Sequence, residues 1–339
     1  MSEMESLSVW MEERRHPAAP TGERYMVVHE TLYPYGSAVS LSHQMLHLTP
    51  RECAWQQVHH HHCRIEPAPD WSREGVDAFG NPVAWLGVAT PHESLHVKAE
   101  IDVEVFPHRP LAQLADSMPW DTLRQRLSYH GRAPLPEDLA AKRFLFESGF
   151  VRIKQEFFDY GKDCFTPGVP VLEGTRRLMD KIFTEFEFDP HATTVATPVR
   201  EVLARKRGVC QDFAHLMLAC LRSRGIPARY MSGYLLTQPP PGQPRLIGAD
   251  ASHAWVSVYA PGFGQDGEDW VDFDPTNNLL PDTQHITLCW GRDFNDISPL
   301  RGVILGGGNH DPEVAVTVMP HDEWVARHAA AGEGEEPTA

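Results

Sequence analysis

The sequence predicts an α+β protein, with an all-β front half followed by a helical stretch, a strongly apolar helix and a further series of strands. Short apolar runs with period-two alternation, separated by turn residues, occupy residues 23–110. Helical spacing takes over from Leu111 to about Asp189 and returns immediately after Cys210, and that last helix is followed by a further series of strand-like runs.

Residues 1–22 are polar and proline-containing and read as a flexible lead-in. Strands are expected at Tyr25–Tyr33, Ser40–Thr49, Gln57–Glu66, Val83–Gly87 and Ser94–Phe106. The punctuation between them includes Tyr-Pro-Tyr-Gly at 33–36, Pro67–Asp70 and Phe-Gly-Asn-Pro at 79–82, all rich in turn formers. Alternation in Leu95–Val105 marks a strand with one buried and one wet face. Helices are expected at Pro119–Tyr129, Pro136–Phe146, Val151–Lys162 and Val171–Phe188, the last with Leu172, Leu178, Met179, Ile182 and Phe183 on one side. Another, Pro198–Arg205, places proline at its first position behind Thr197 as a cap. Strands follow at Ala228–Leu236, Ser252–Tyr259, Asp269–Asp274 and Ile286–Trp290, with Arg301–Leu305 and Val314–Val318 closing the sheet. These readings divide the chain into a front β domain over 23–110, a second domain over 111–327 with a helical start, and a disordered low-complexity tail over 328–339.

The chain has 339 residues, 46 acidic against 30 basic, for a formal net charge of −16. Without a basic patch interleaved with aromatics, nucleic acid is not an expected partner. No apolar run approaches the roughly 20 residues of a membrane span, and the cytoplasm is the expected location. The six cysteines, at 53, 63, 164, 210, 220 and 289, form neither a CxxC pair nor a regular framework, so reduced thiols are expected.

Chemistry concentrates after Arg207. Phe213, Leu216, Met217, Cys220 and Leu221 recur at the spacing of a buried helix face. Arg222–Arg224 fill its last turn, and Gly225 and Pro227 end it. The helix thus begins at about Gln211 and puts Cys210 at its positive end, where free backbone N–H groups favour a thiolate. A nucleophilic thiolate needs a base and a group that orients the base. His253 lies near the start of an alternating strand, and Asp269–Asp274 forms another that Pro275 ends. A hairpin centred near residue 264 brings His253 and Asp274 to the same open end, within reach of one another. Asp272 shares the strand face and is the rival orienting residue. Asp212, in the first turn of the cysteine helix, reads as a helix-end carboxylate.

The segments GVCQDFAHLMLACLRSRGIPARYMSGYL, DASHAWVSVY and WVDFDPTNN resemble the core of the bacterial transglutaminase-like family. The likeness continues into FDPHATTVATPVREVLARKRG and WGRDFNDISPLRGVILGGG, and the front half resembles the β domain that accompanies this core, so about nine tenths of the chain is covered. The resemblance implies a papain-like core, in which a helix packs on an antiparallel sheet, with Cys210 as nucleophile, His253 as base and Asp274 as orienter, acting on amide bonds of proteins or peptides through a thioester. It also exposes a difference: animal transglutaminases stabilise the oxyanion with a tryptophan upstream of the cysteine, and no tryptophan lies between Trp120 and Trp255. The Cys210 N–H supplies one donor, and the second is not identified. The acidic calcium sites of the animal enzymes are not evident, so neither metal nor cofactor is expected.

Several features also have plainer readings. Cys220 and His215 on the cysteine helix fit core roles, Trp255 and Trp270 read as core aromatics, and Asn277 and Asn278 cap the turn after Pro275. The run His59–His62 splits between two strand faces and is a weak metal signal. The Pro/Gly-rich insert Gln238–Gly248 is expected to border the substrate cleft. Rival functions are a protease or amidase of the same fold without transferase activity, a silent protein-binding module, and a metal protein built on His59–His62.

Overall fold

The computed structural model describes residues 21–108, 114–129, 134–237, 252–263 and 269–332. The front half is organised on one long strand, β1 (Glu23–Leu46), which runs straight through the Tyr-Pro-Tyr-Gly segment that the sequence predicts as a turn. Pro34 is tolerated because the ladder is irregular between Pro34 and Val39. The N–H groups of Gly36 and Ser37 donate to the carbonyls of Asn309 and Gly307 at 3.1 and 3.2 Å, which holds this segment in place.

β2 (Gln56–Glu66), β3 (Trp71–Val76), β4 (Pro82–Val88) and β5 (His92–Val105) complete the local part of the sheet. β4 and β5 lie end to end along one side of β1, with β3 outside β4 and β2 outside β5. All six residues of β3 are exposed, so no alternation announces it.

The second domain begins with α1 (Trp120–Arg126), α2 (Pro136–Lys142), α3 (Gln155–Tyr160) and α4 (Val171–Glu185). α3 is half as long as the sequence suggests, and Phe183 of α4 is exposed rather than packed with Leu178 and Ile182. A short parallel bridge joins β6 (Glu187–Phe188) to β7 (Arg207–Gly208), enclosing α5 (Val199–Arg205). Pro198 stands before that helix as its cap residue, one position earlier than expected. Next comes α6 (Cys210–Ser223), buried along nearly its whole length from Asp212 to Arg222. It packs on a four-stranded antiparallel sheet of β8 (Ala228–Leu235), β9 (Ser252–Tyr259), β10 (Trp270–Phe273) and β11 (His285–Gly291), in the order β10-β9-β8-β11. Leu216, Leu218 and Leu221 are fully buried, and each contributes about 1.5–3 kcal/mol of hydrophobic stabilisation. Arg222 and Arg224 are also buried, and their guanidinium groups donate to backbone carbonyls, Ala228 and Arg292 for Arg222, Cys220 and Phe158 for Arg224.

The chain then returns to its beginning. β12 (Leu300–Gly306) and β13 (Glu313–Pro320), expected to close the second sheet, instead pair with β1 along its other side. The domain boundary expected from the sequence therefore cuts across one sheet. α7 (His321–Gly332) takes up the first residues of the expected disordered tail, and residues 333–339 lie outside the described residues.

The two halves share a polar seam. The Gln56 amide takes the Thr287 N–H and donates to the Thr287 carbonyl, both at 2.8 Å, at the irregularity in the β11–β8 ladder, and the Trp55 indole donates to the Thr287 hydroxyl at 3.3 Å. Asn81 holds the Trp290 backbone through both its carbonyl and its N–H, and His29 shares a 2.9 Å hydrogen bond with the Tyr234 hydroxyl.

Candidate active site

Cys210 is the first residue of α6, behind Val209 in extended conformation, and is only partly buried. Asp212 caps this helix from inside: its Oδ2 accepts from the Val209 N–H at 2.9 Å and the Thr193 hydroxyl at 2.6 Å. Burial pushes the Asp212 carboxyl up despite these two donors. Gly208 is required here, since a Cβ would lie 2.6 Å from Asp212 Oδ2.

β9 brings His253 over the sheet, paired with Gly233 of β8. The β9–β10 ladder pairs Phe273 with Val256 and Trp270 with Tyr259, one residue from the register the sequence reading anticipates. Asp274 follows β10 directly and is wholly buried; its backbone closes a loop with Leu279. The His253 Nε2–H donates to Asp274 Oδ2 at 2.7 Å. The Cys210 sulfur lies near enough to the His253 ring to help raise its imidazole. Cys210, His253 and Asp274 are thus brought together. Asp272 is not part of this set, because its Oδ2 accepts the Trp255 indole N–H at 2.8 Å.

Two further groups reach Asp274. His285, the first residue of β11, donates its Nε2–H to the same Oδ2 at 3.1 Å. Asn277, expected to be only a turn cap, donates its side-chain N–H to Oδ2 at 2.8 Å, while the backbone N–H groups of Thr276 and Asn277 donate to Oδ1 at 2.9 and 3.2 Å. Asn278 takes the turn, with φ +53°. A histidine opening a strand, as His253 nearly does, was the available signal for His285. No spacing rule pointed to Asn277.

Burial opposes charge on both members of the central pair, and the hydrogen bonds outweigh it. For Asp274, the bonds from His253, His285 and Asn277 hold the carboxyl well below the usual range. For His253, burial alone would lower the imidazole, yet the hydrogen bonds and charges of Asp274 and Cys210 push it up to about 10. Both shifts favour an imidazolium–carboxylate pair.

His253, Asp274 and His285 carry donor atoms within 4.8 Å of one another, the spacing of a divalent-cation site. However, three N–H donors already converge on Asp274 Oδ2, and the Asn277 amide turns its N–H, not its oxygen, toward that carboxylate. This is the environment of a hydrogen-bonded carboxylate. Among the described residues, His59–His62 join no cluster of close donors; His59 bonds Glu104 at 3.0 Å. His215 is core: it stacks on Phe150, accepts the Phe294 N–H at 3.2 Å, and burial lowers it to about 3. Cys220 and Trp255 are likewise fully buried, and the insert 238–248 lies outside the described residues.

Residues 25–104 match the model of the bacterial transglutaminase-like N-terminal region, and residues 162–275 match that of the transglutaminase-like superfamily. An uncharacterized protein of Mycobacterium tuberculosis is 38% identical over 310 residues, covering 90% of this chain and 95% of its own length. The chain belongs to the bacterial transglutaminase-like family. An uncharacterized Mycobacterium leprae relative is 31% identical, covering 87% of this chain and 98% of its own. A protein-glutamine gamma-glutamyltransferase of Pseudomonas aeruginosa is 32% identical over 113 residues, 31% of this chain and 16% of that protein. Among solved structures, a candidate cysteine protease from Cytophaga hutchinsonii shares the fold, with TM-score 0.67, 20% identity, and coverage of 89% of this chain and 91% of its own.

Proposed function

We propose that this family member is a cysteine acyltransferase or hydrolase that opens amide bonds of proteins or peptides through a thioester. The observation that carries this reading is the 2.7 Å bond between His253 and a fully buried Asp274, beside a partly exposed sulfur at a helix start. Cys210 Sγ attacks the amide carbonyl, and the Cys210 backbone N–H donates to the oxygen that becomes negative. The imidazolium of His253 gives its proton to the leaving nitrogen as the C–N bond breaks, releasing ammonia or an amine and leaving the acyl group on sulfur. Neutral His253 then takes a proton from the incoming amine or water, whose attack on the thioester carbonyl expels the Cys210 sulfur as thiolate and restores the thiolate–imidazolium couple. Asp274 keeps the ring oriented with Nε2–H bound.

All six cysteines are free thiols, and no helix among the described residues is long and apolar enough to cross a membrane; the free thiols support a cytoplasmic setting. The testing experiment incubates the protein with glutamine- and asparagine-containing peptides, with and without a primary amine, beside Cys210→Ala. Ammonia release alone identifies a hydrolase, and amine incorporation identifies a transferase. Wild type and C210A giving the same background in both arms would refute the proposal.

A further inference from the structure

Asp274 holds two imidazoles, and the mechanism above uses one. His285 is 4% exposed, and its Nε2–H reaches the oxygen that serves His253. Its other ring nitrogen, Nδ1, is buried without a hydrogen-bond partner. A carboxylate oxygen only accepts, so Nε2 carries the hydrogen that His285 gives to Asp274. The ring packs edge-on against Trp255, with centroids 5.3 Å apart, and Trp255 is itself fixed by its bond to Asp272. Two residues along β11, Thr287 is gripped by Gln56 and Trp55 of the front half. His285 thus sits on a strand held from both sides and has one polar contact, Asp274.

We infer that His285 is a positioning residue for the candidate triad, fixing the Asp274 carboxylate and drawing off part of its charge through a permanent N–H donor. The inference rests on the reading of Cys210, His253 and Asp274 given above. The charge on Asp274 determines how firmly His253 keeps its proton. If that charge were presented to His253 alone, the imidazolium would be a weaker acid and would yield its proton to a leaving amine more slowly. Five N–H contacts from His253, His285, Asn277 and Thr276 share the carboxylate instead. Asn277 and Thr276 belong to the same loop as Asp274, so His285 is the donor that ties the carboxylate to the opposite edge of the sheet.

The test needs no knowledge of the substrate. Wild type, His285→Gln, His285→Leu and His285→Asn are alkylated with iodoacetamide across pH 4–11, and modification of Cys210 is followed by mass spectrometry. An ion-paired and a free thiolate react at different rates, so loss of the His253 proton appears as a step on the alkaline side. Gln keeps a donor near the Nε2 position and is expected to overlay wild type. Leu, and Asn as the shorter polar alternative should the Leu chain not fold, lack that donor, and the step is expected to rise by about half to one pH unit. Leu or Asn profiles that coincide with wild type would overturn the positioning role while leaving the triad intact. A wild-type Cys210 that alkylates as an isolated thiol, with no second step, would instead sink the triad reading beneath it.

Discussion

Gln56→Leu tests how the two halves are joined. Gln56 is 2% exposed, and its amide makes three hydrogen bonds, to the Arg51 carbonyl at 2.9 Å and to the Thr287 carbonyl and N–H at 2.8 Å each. Leucine has nearly the same volume, so the change opens little cavity and its effect is polar. It takes a partner from three backbone groups, the two buried ones on the strand that carries His285. A stranded buried group costs about 1–3 kcal/mol, and some relaxation is expected, so the loss should be about 3 kcal/mol. Urea unfolding of the full chain measures it as a fall in the midpoint at constant slope. Amide exchange gives a local readout, because the Thr287 N–H is bonded to Gln56 and should exchange faster in the variant. A loss below 1 kcal/mol with Thr287 protection unchanged would show that the amide does not hold the seam.

Three other outcomes follow from the same geometry. Asp274→Asn removes the charge that supports the imidazolium, so the His253 step in the Cys210 alkylation profile should move down by about one pH unit or more while circular dichroism is unchanged; an unmoved step would separate Asp274 from the imidazole. Gly233→Ala places a Cβ 1.9 Å from the Ile286 carbonyl and 2.8 Å from Trp255, beneath His253, and should cost about 3 kcal/mol or more in urea unfolding. Stability should peak near pH 6.5. His29 and His215 are lowered by burial to about 4 and about 3, so as pH falls below 6.5 the unfolded chain binds protons that the folded one refuses. Together they withdraw about 4–5 kcal/mol by pH 4.5. His253, raised to about 10, contributes fully below 6.5 and loses its contribution as pH climbs toward 10. His29→Phe should flatten the acid limb by about one proton, and a stability that does not change between pH 6.5 and 4.5 would contradict the burial argument.

The site was legible in the sequence where its chemistry is local. A helix start fixes Cys210, and a hairpin with a countable turn fixes His253 against Asp274. The expected register was within a residue of the observed one, and the strand end at Pro275 favoured Asp274 over Asp272. What escaped depends on partners distant in the chain. Residues 33–36 look like a turn until the Asn309 and Gly307 carbonyls are seen to hold Gly36 and Ser37. The strands at 300–320 carry no mark of which sheet they join. β3 has no buried face to set a period. His285 reaches Asp274 only because β11 lies across the sheet from β10, an order that strand patterns do not encode.

The pairing of residues 300–320 with β1 has a consequence for synthesis. The opening strand leaves the ribosome hundreds of residues before the partner that will cover its flank. Until then it shows bare N–H and C=O groups to any neighbour that can add a strand. A shortened chain ending before residue 300 would keep Cys210, His253 and Asp274 yet leave that flank permanently unsealed, and it should self-associate more than the 339-residue chain.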